Sequence, residues 1–450
     1  MIFRKYIIKK EDYSHLSKED RLVLKILEET IKDISLVYKL QLKKGFCPKD
    51  LSKEQLKKAV KSNPQLMDPF SQIVEENGKL GIVPYHIYYA KYLTPISQKI
   101  ARAASYSTNR SFKVYLEARA KSLTDGNYEQ AFELWLNIKN SWIDFTLSPY
   151  QRYLDKSLLT KRTYQGYVGI IHKQYTALAE QYKEALYSSA KINFTKYHST
   201  DIPKKGVSVF IEMISAISGY PADVLALGEH FPSNLDVARQ YGARIVIYAT
   251  QLGYKFDKVF YPIFKTIFEP TFASKYSRQM LLETTGWCIF LYELGEQLHK
   301  FEGARDRLQE FYAPIEKANA FASGIEHSKH LVVKGLISQE MLEAIMIIHI
   351  VWMVSDWLLY QKNPAKQSHI IGNSVLLNSY LSNGALKISI GISWPNFSRI
   401  FFEIESMAYK LTYLLQKGSY KEARDFIKKN ANLECFERLS SSLSHINNSV

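Results

Sequence analysis

The amino-acid sequence predicts a mainly α-helical chain with a minor β element, and three observations carry that expectation. Apolar residues recur three and four apart through six long segments, the spacing of one buried helical face. Most prolines flank those segments, as helix boundaries require. One short stretch alternates β-branched or aromatic residues with small or polar ones, which is the period of a strand.

In chain order, the helical segments are Leu22 to Leu40, Phe112 to Lys121, Tyr167 to Ser189, Met280 to Leu298, Met341 to Tyr360 and Phe401 to Leu415. Pro64, Pro69, Pro84, Pro95, Pro203, Pro221, Pro232, Pro262 and Pro270 punctuate them, so the connecting loops are expected to be short to moderate. The alternating stretch is LKISIGISW, Leu386 to Trp394, and predicts a short hairpin around Gly391. The ending LSSSLSHINNSV, from Leu439, is rich in Ser and Asn and predicts a frayed tail. No fixed-period repeat and no low-complexity block is present.

The 450 residues leave room for roughly three domain-sized units or two larger lobes. Lys and Arg number 59 against 44 Asp and Glu, a net charge of +15 that suits nucleic acid, an anionic surface or acidic peptides. The first 61 residues hold 16 basic against 9 acidic residues, yet these fall mostly on polar helix faces and no reader motif accompanies them, so no nucleic-acid partner is expected. Cys47, Cys288 and Cys435 are widely spaced and odd in number, which favours a reducing compartment over a disulfide framework. The opening MIFRKYIIKKEDYSHLSKED carries charges every few positions and no apolar run of the signal type, so a cytoplasmic location is expected, with a signal-independent route elsewhere left open. Ala344 to Tyr360 is the most hydrophobic stretch, but it includes His349 and Asp356 and falls short of the ~20 apolar residues that span a bilayer. It reads as a buried helix, and no membrane span is expected.

Common catalytic signatures are missing: the chain has no Walker A sequence, no GxGxxG after a strand, no GxSxG elbow, no EF-hand loop and no HExxH. One helix, Arg278 to Phe301, stands out. Trp287, Leu291, Leu294 and Leu298 form a core stripe, while Thr285, Tyr292, Glu296 and His299 share the opposite side with Glu293 at its edge. A di-metal carboxylate bundle needs Glu-x-x-His on two helices, and Glu296 to His299 is the single such pair.

Four stretches carry a family resemblance. They are FKVYLEARAKSLTDGNYEQAFELWLNIKNSWIDFTLSPYQRYLD from Phe112, GEHFPSNLDVARQYGARIV from Gly228, LYELGEQLHKFEG from Leu291 and FYAPIEKANAF from Phe311. Their order and spacing resemble those of the dipeptidyl peptidase III-like zinc metallopeptidases, in particular the shorter bacterial relatives, from about Ile100 to Glu434. The resemblance implies a mainly helical, two-lobed fold with minor β structure around a central cleft. The parts it implies are an N-terminal helical lobe over 1–166, a helical lobe with a vestigial metallopeptidase site over 167–376, a hairpin and C-terminal helices over 377–438, and a flexible tail over 439–450.

Position by position, the resemblance places Tyr292 where the family has its first histidine ligand, Glu293 at the catalytic base and Glu296 at the second histidine ligand. Lys317 falls on the ligand glutamate, with Phe321 four positions later on an acidic residue; a slip of one would make Glu316 the ligand. In the peptide-binding set, Gln151 replaces a glutamate, Tyr153 and Asp155 match, and Asn234 and His369 fall on loop and carbonyl-side positions. Catalytic zinc takes about three protein ligands from His, Cys and carboxylate. A protonated phenol and an ammonium do not serve, so zinc is expected to be absent or weakly held, and Glu293 then has no metal-bound water to activate. Lys317 is expected to act as a surrogate cation facing Glu293 and Glu296, or else to point outward with Tyr292 and Phe321 filling the space.

Three functional readings follow. The first is a non-catalytic fold that still binds a peptide or protein, which needs backbone bonds and side-chain pockets but no metal. The second is a hydrolase with an altered metal set such as Glu293, Glu296 and His299, or an acid-base site on Glu293. The third is a basic protein for anionic partners.

Overall fold

The structure is a computed structural model that describes every residue except 10–12, 153, 156, 159, 195–205, 233–234, 300, 362–366, 389–391, 393, 441–442 and 444–450. Tyr153, Asn234 and most of the Ser- and Asn-rich ending therefore lie outside the described residues. The chain divides into two compact units. One comprises Met1–Lys173, Ile211–Leu227 and Tyr248–Gln251, and the other Gln174–Phe210, Gly228–Ile247 and Leu252–Val450.

The first unit begins with strand β1 (Phe3–Lys5) and the long helix α1 (Lys18–Lys44). Ser17 starts α1 by accepting the Asp20 N–H, and Val23, Ile26, Leu27, Ile31, Ile34 and Tyr38 supply its buried stripe. Helix α2 (Lys53–Ser62) opens with a capping box between Ser52 and Gln55. It joins strands β2 (Ser71–Glu76) and β3 (Lys79–Pro84) around a small cluster of Leu56, Leu66 and Ile73. Asn77 and Gly78, at φ 52° and 74°, make the two-residue turn of that hairpin, a conformation these two residue types adopt readily. Helices α3 (Ala90–Tyr106), α4 (Arg110–Asp125) and α5 (Glu129–Leu136) follow.

Strands β4 (Ile143–Gln151), β5 (Thr163–Ile171) and β6 (Val207–Ser218) are antiparallel in that order, and β1 pairs with the end of β6. Strand β5 is buried along its whole length, so it shows no alternation for a sequence reading to detect. The helix expected from Tyr167 is corrected accordingly: Tyr167 to Ile171 are strand, and helix α6 begins at Lys173 and runs to Phe194. Buried Asp144 on β4 accepts from Trp135 Nε1 at 2.8 Å and Tyr167 OH at 2.9 Å.

Between β4 and β5, the Asp155 carboxylate accepts four backbone N–H groups, those of Ser157, Leu158, Thr160 and Lys161, at 2.9 to 3.1 Å. It is buried and acts as the internal cap of this turn. Asp155→Ala is expected to cost about 2–3 kcal/mol in urea unfolding because it orphans donors that shared one charged acceptor, and Asp155→Asn is expected to cost less. A loss below the error of the melts would show that the turn does not depend on that carboxylate.

The second unit is built on helices. Strands β7 (Gly228–Phe231) and β8 (Ala243–Tyr248) form a hairpin that encloses helix α7 (Leu235–Tyr241). Then come α8 (Arg278–Leu298), α9 (Tyr312–Val333), α10 (Gln339–Tyr360), α11 (Gln367–Ser382), α12 (Phe397–Gln416) and α13 (Tyr420–Asn430). Helix α9 packs against α8, α11 and α12, which explains why it is buried along most of its length, polar residues such as Lys317, Asn319 and His327 included. Among the described residues α10 alone is long and apolar enough to cross a membrane, and 83% of its apolar window is buried inside the protein, as in a core helix. The hairpin expected at Leu386 to Trp394 is represented by a bridge between Ile388 and Ile392, with Ile392 also bridging Phe268; 389–391 and 393 lie outside the described residues.

Candidate functional site

Helices α8 and α9 touch backbone to backbone. A Cβ on Gly295 would stand 2.3 Å from the Ala320 carbonyl oxygen, and one on Gly324 would stand 2.3 Å from that of Leu291. Glycine is required at both places because any side chain would push the helices apart. This crossing sets the inner face of α8, with Glu293 and Glu296 three residues apart and on the same side, against α9, with Lys317.

Lys317 Nζ lies 2.9 Å from Glu296 Oε2, and both side chains are buried. Glu316 faces differently: its Oε1 accepts the Tyr312 hydroxyl, and its other oxygen is 3.9 Å from Lys317 Nζ. The aromatic neighbours pack with each other. Tyr292 lies 4.5 Å from Phe321 and 5.3 Å from Trp352, ring centre to ring centre, and Phe321 stands edge-on to Trp352 at 4.8 Å.

A fourth polar group completes the cluster. On β7, side chains alternate, which turns His230 away from Glu229 and Phe231. His230 Nδ1 lies 2.9 Å from Glu293 Oε2, and Nε2 lies 3.5 Å from Glu296 Oε1. Each ring nitrogen thus faces a carboxylate, an arrangement that the doubly protonated imidazolium satisfies. Burial raises the Glu293 carboxyl above the usual carboxylate range; His230 opposes the rise, the nearby Glu296 charge adds to it, and Lys317 opposes it. Donor atoms of His230, Glu293 and Glu296 all lie within 4.8 Å of one another.

His299 takes no part in that three-donor group. Its Nε2 lies 3.4 Å from His327 Nε2, and His327 Nδ1 is 2.6 Å from Glu326 Oε2. Burial brings His299 down to about 3, with His327 adding to the fall, so it is neutral at ordinary pH. His369 is half-buried in the first turn of α11. Gln151 ends β4, and its carbonyl accepts the Thr163 hydroxyl at 3.0 Å.

His230 was not singled out in the sequence. It sits on a four-residue strand far along the chain from α8, and a lone histidine there has no spacing signal; only the register of β7 against β8, Glu229 to Val246 and His230 to Ile245, brings it in.

The described architecture matches solved structures closely. That of DPP III from Caldithrix abyssi superimposes at a TM-score of 0.83, covering 97% of this chain and 95% of that one, with 19% sequence identity. That of dipeptidyl-peptidase III from Corallococcus sp. strain EGB gives 0.83 over 99% of this chain and 93% of the other, at 18% identity. The chain has the dipeptidyl peptidase III fold. Nudix hydrolase 3 of Arabidopsis thaliana is 21% identical over 377 residues, 82% of this chain, which spans about half (48%) of that relative's length. No protein-family model matches the chain.

Zinc at the position that the resemblance implies in this dipeptidyl peptidase III fold would need ligand atoms from Tyr292, Glu296 and Lys317. The Tyr292 ring is committed to Phe321 and Trp352, and the Lys317 ammonium is paired with Glu296, so one carboxylate of the three remains eligible. These residues do not fit the ion. His230, Glu293 and Glu296 form a different donor set, in which Glu293 would be a ligand rather than a base.

Proposed function

We propose that the chain is a non-catalytic dipeptidyl peptidase III-like protein that binds a peptide or protein and has replaced the metal by two side-chain cations. The observation that carries this reading is the position of Lys317 Nζ, 2.9 Å from Glu296, with His230 between Glu293 and Glu296. An imidazolium at His230 and the ammonium at Lys317 together offset two carboxylates. The four groups then sum to zero, which removes the cost of leaving buried carboxylates unpaired. Without a metal-bound water, Glu293 lacks a nucleophile to generate. The Asp155 carboxylate is a poor candidate for peptide contact, because its acceptor positions are taken by its own turn.

The test is metal analysis together with zinc titration calorimetry and dipeptide release from an arylamide substrate. The expected result is substoichiometric metal, no zinc heat at micromolar concentration and no release. Stoichiometric zinc, with release that chelation stops and zinc restores, would overturn the reading. A second reading, a divalent ion held by His230, Glu293 and Glu296, is favoured by the 4.8 Å grouping of their donor atoms. Zinc binding that survives in the parent chain and vanishes in His230→Ala would select it.

A further inference from the structure

A separate group of charges lies in the first unit. Between residues 43 and 61 the chain carries seven lysines against Asp50 and Glu54, five of its fifteen net positive charges. All seven lysines are exposed, and among the described residues none forms an ion pair. Lys43 and Lys44 end α1, Lys49 lies in the loop, and the remaining four are on α2. The one fully buried residue of α2 is Leu56. At about 100° per residue, Lys57, Lys61 and Lys58 stand about 100°, 140° and 200° from it, so they share the outward face, with Glu54 the acidic residue among them.

Apolar tips stand beside these charges. Leu42, 43% exposed, precedes Lys43; Ile87, 58% exposed, precedes Tyr88, whose ring centre is 5.9 Å from Lys44 Nζ. Met67, 37% exposed, ends the 3₁₀ turn Pro64–Met67 that packs against α2.

We propose that this face docks reversibly on an anionic phospholipid surface, with the lysines in the headgroup layer and Leu42 and Ile87 at its apolar boundary. Lysine is a compact point charge on an apolar stem, which suits a fluid array of headgroups. Nucleic acid is the weaker fit for two reasons. No arginine occurs between Arg21 and Arg102, so the bidentate fork that reads phosphate and guanine is missing. No aromatic is among the exposed large hydrophobic side chains from Leu42 to Ile87, so a stacking platform for bases is missing too.

The test is flotation of the full chain with phosphatidylcholine vesicles, with and without phosphatidylserine. Each lysine near such a surface contributes about fivefold to binding. The chain is expected to float with the serine-containing vesicles alone and to be released as salt shortens the screening length. Lys57→Glu/Lys58→Glu/Lys61→Glu is expected to lower binding on the order of a hundredfold or more with an unchanged melt. Leu42→Ser/Ile87→Ser is expected to lower it further as salt rises. The equally exposed Lys421, Lys428 and Lys429 of α13 serve as the control: their change to Glu leaves binding unaltered. Equal flotation with both vesicle types, an unaffected α2 variant, a control that weakens binding as much, or tighter binding to RNA or duplex DNA would each overturn the proposal. The site in the second unit plays no part in any of these outcomes.

Discussion

Replacing Lys317 by methionine is expected to destabilise the protein by about 3–5 kcal/mol, because it removes one partner of a buried ion pair and leaves the other charged in a dry site. Methionine keeps most of the side-chain length, so the loss reports charge rather than a cavity. Lys317 Nζ faces Glu296 at 2.9 Å while His230 approaches both glutamates, so the change leaves His230 alone beside two carboxyl groups. Adding Glu296→Gln to Lys317→Met is expected to recover most of the stability, and a double-mutant cycle in urea should show a strongly favourable coupling between the two. The pH dependence has a definite sign. Glu293 is already raised in the folded protein and rises further without Lys317, so the folded state keeps a proton that the unfolded chain loses above about pH 4.3. Both chains therefore lose stability as pH rises above that value, and the variant should fall further behind the parent once pH passes the parent's own raised Glu293 pKa. A loss under about 1 kcal/mol, or additive single and double variants, would show that Lys317 and Glu296 are not a coupled pair.

The triple change Tyr292→His, Glu296→His and Lys317→Glu is expected to give a chain that takes up zinc stoichiometrically. Two imidazoles and one carboxylate satisfy about three ligand positions and leave a fourth for water. Because only the folded chain presents this set, zinc at about a thousand times its dissociation constant should raise stability by about 4 kcal/mol. Removing Tyr292 loses its packing on Phe321 and Trp352, so the metal-free variant should be less stable than the parent. Glu293 then stands beside a metal-bound water, and zinc-dependent dipeptide release is expected to appear with it. Calorimetry and metal analysis of the purified triple variant decide the matter: absence of zinc uptake would mean that the backbone does not hold these three positions in ligand geometry.

Much of this arrangement was legible in the sequence. The stripes of α1, α8 and α12 are periodic because one face of each is buried, and the segments read as helix there are helix. Tyr292, Glu293, Glu296, Lys317 and Phe321 lie on two helices in contact. The strands were harder to read. Strands β4 and β5 are buried on almost every residue, and a continuous apolar run does not distinguish strand from helix. The β2–β3 hairpin did carry a signal, Asn77-Gly78, but its flanking strands are polar at the turn end and gave no apolar alternation to go with it. His230 was out of reach for another reason, since its role depends on a tertiary approach between a short strand and α8 that no local pattern encodes.

Gly295 and Gly324 also restrict what this pocket can become. With main chain against main chain at the crossing, α8 and α9 stand at their closest approach, so no smaller occupant can draw them nearer. What sits between them is decided by the tips of a few side chains alone. An exchange of ion for salt bridge therefore turns on the side chains at Tyr292, Glu296 and Lys317 rather than on a nearer approach of the two helices.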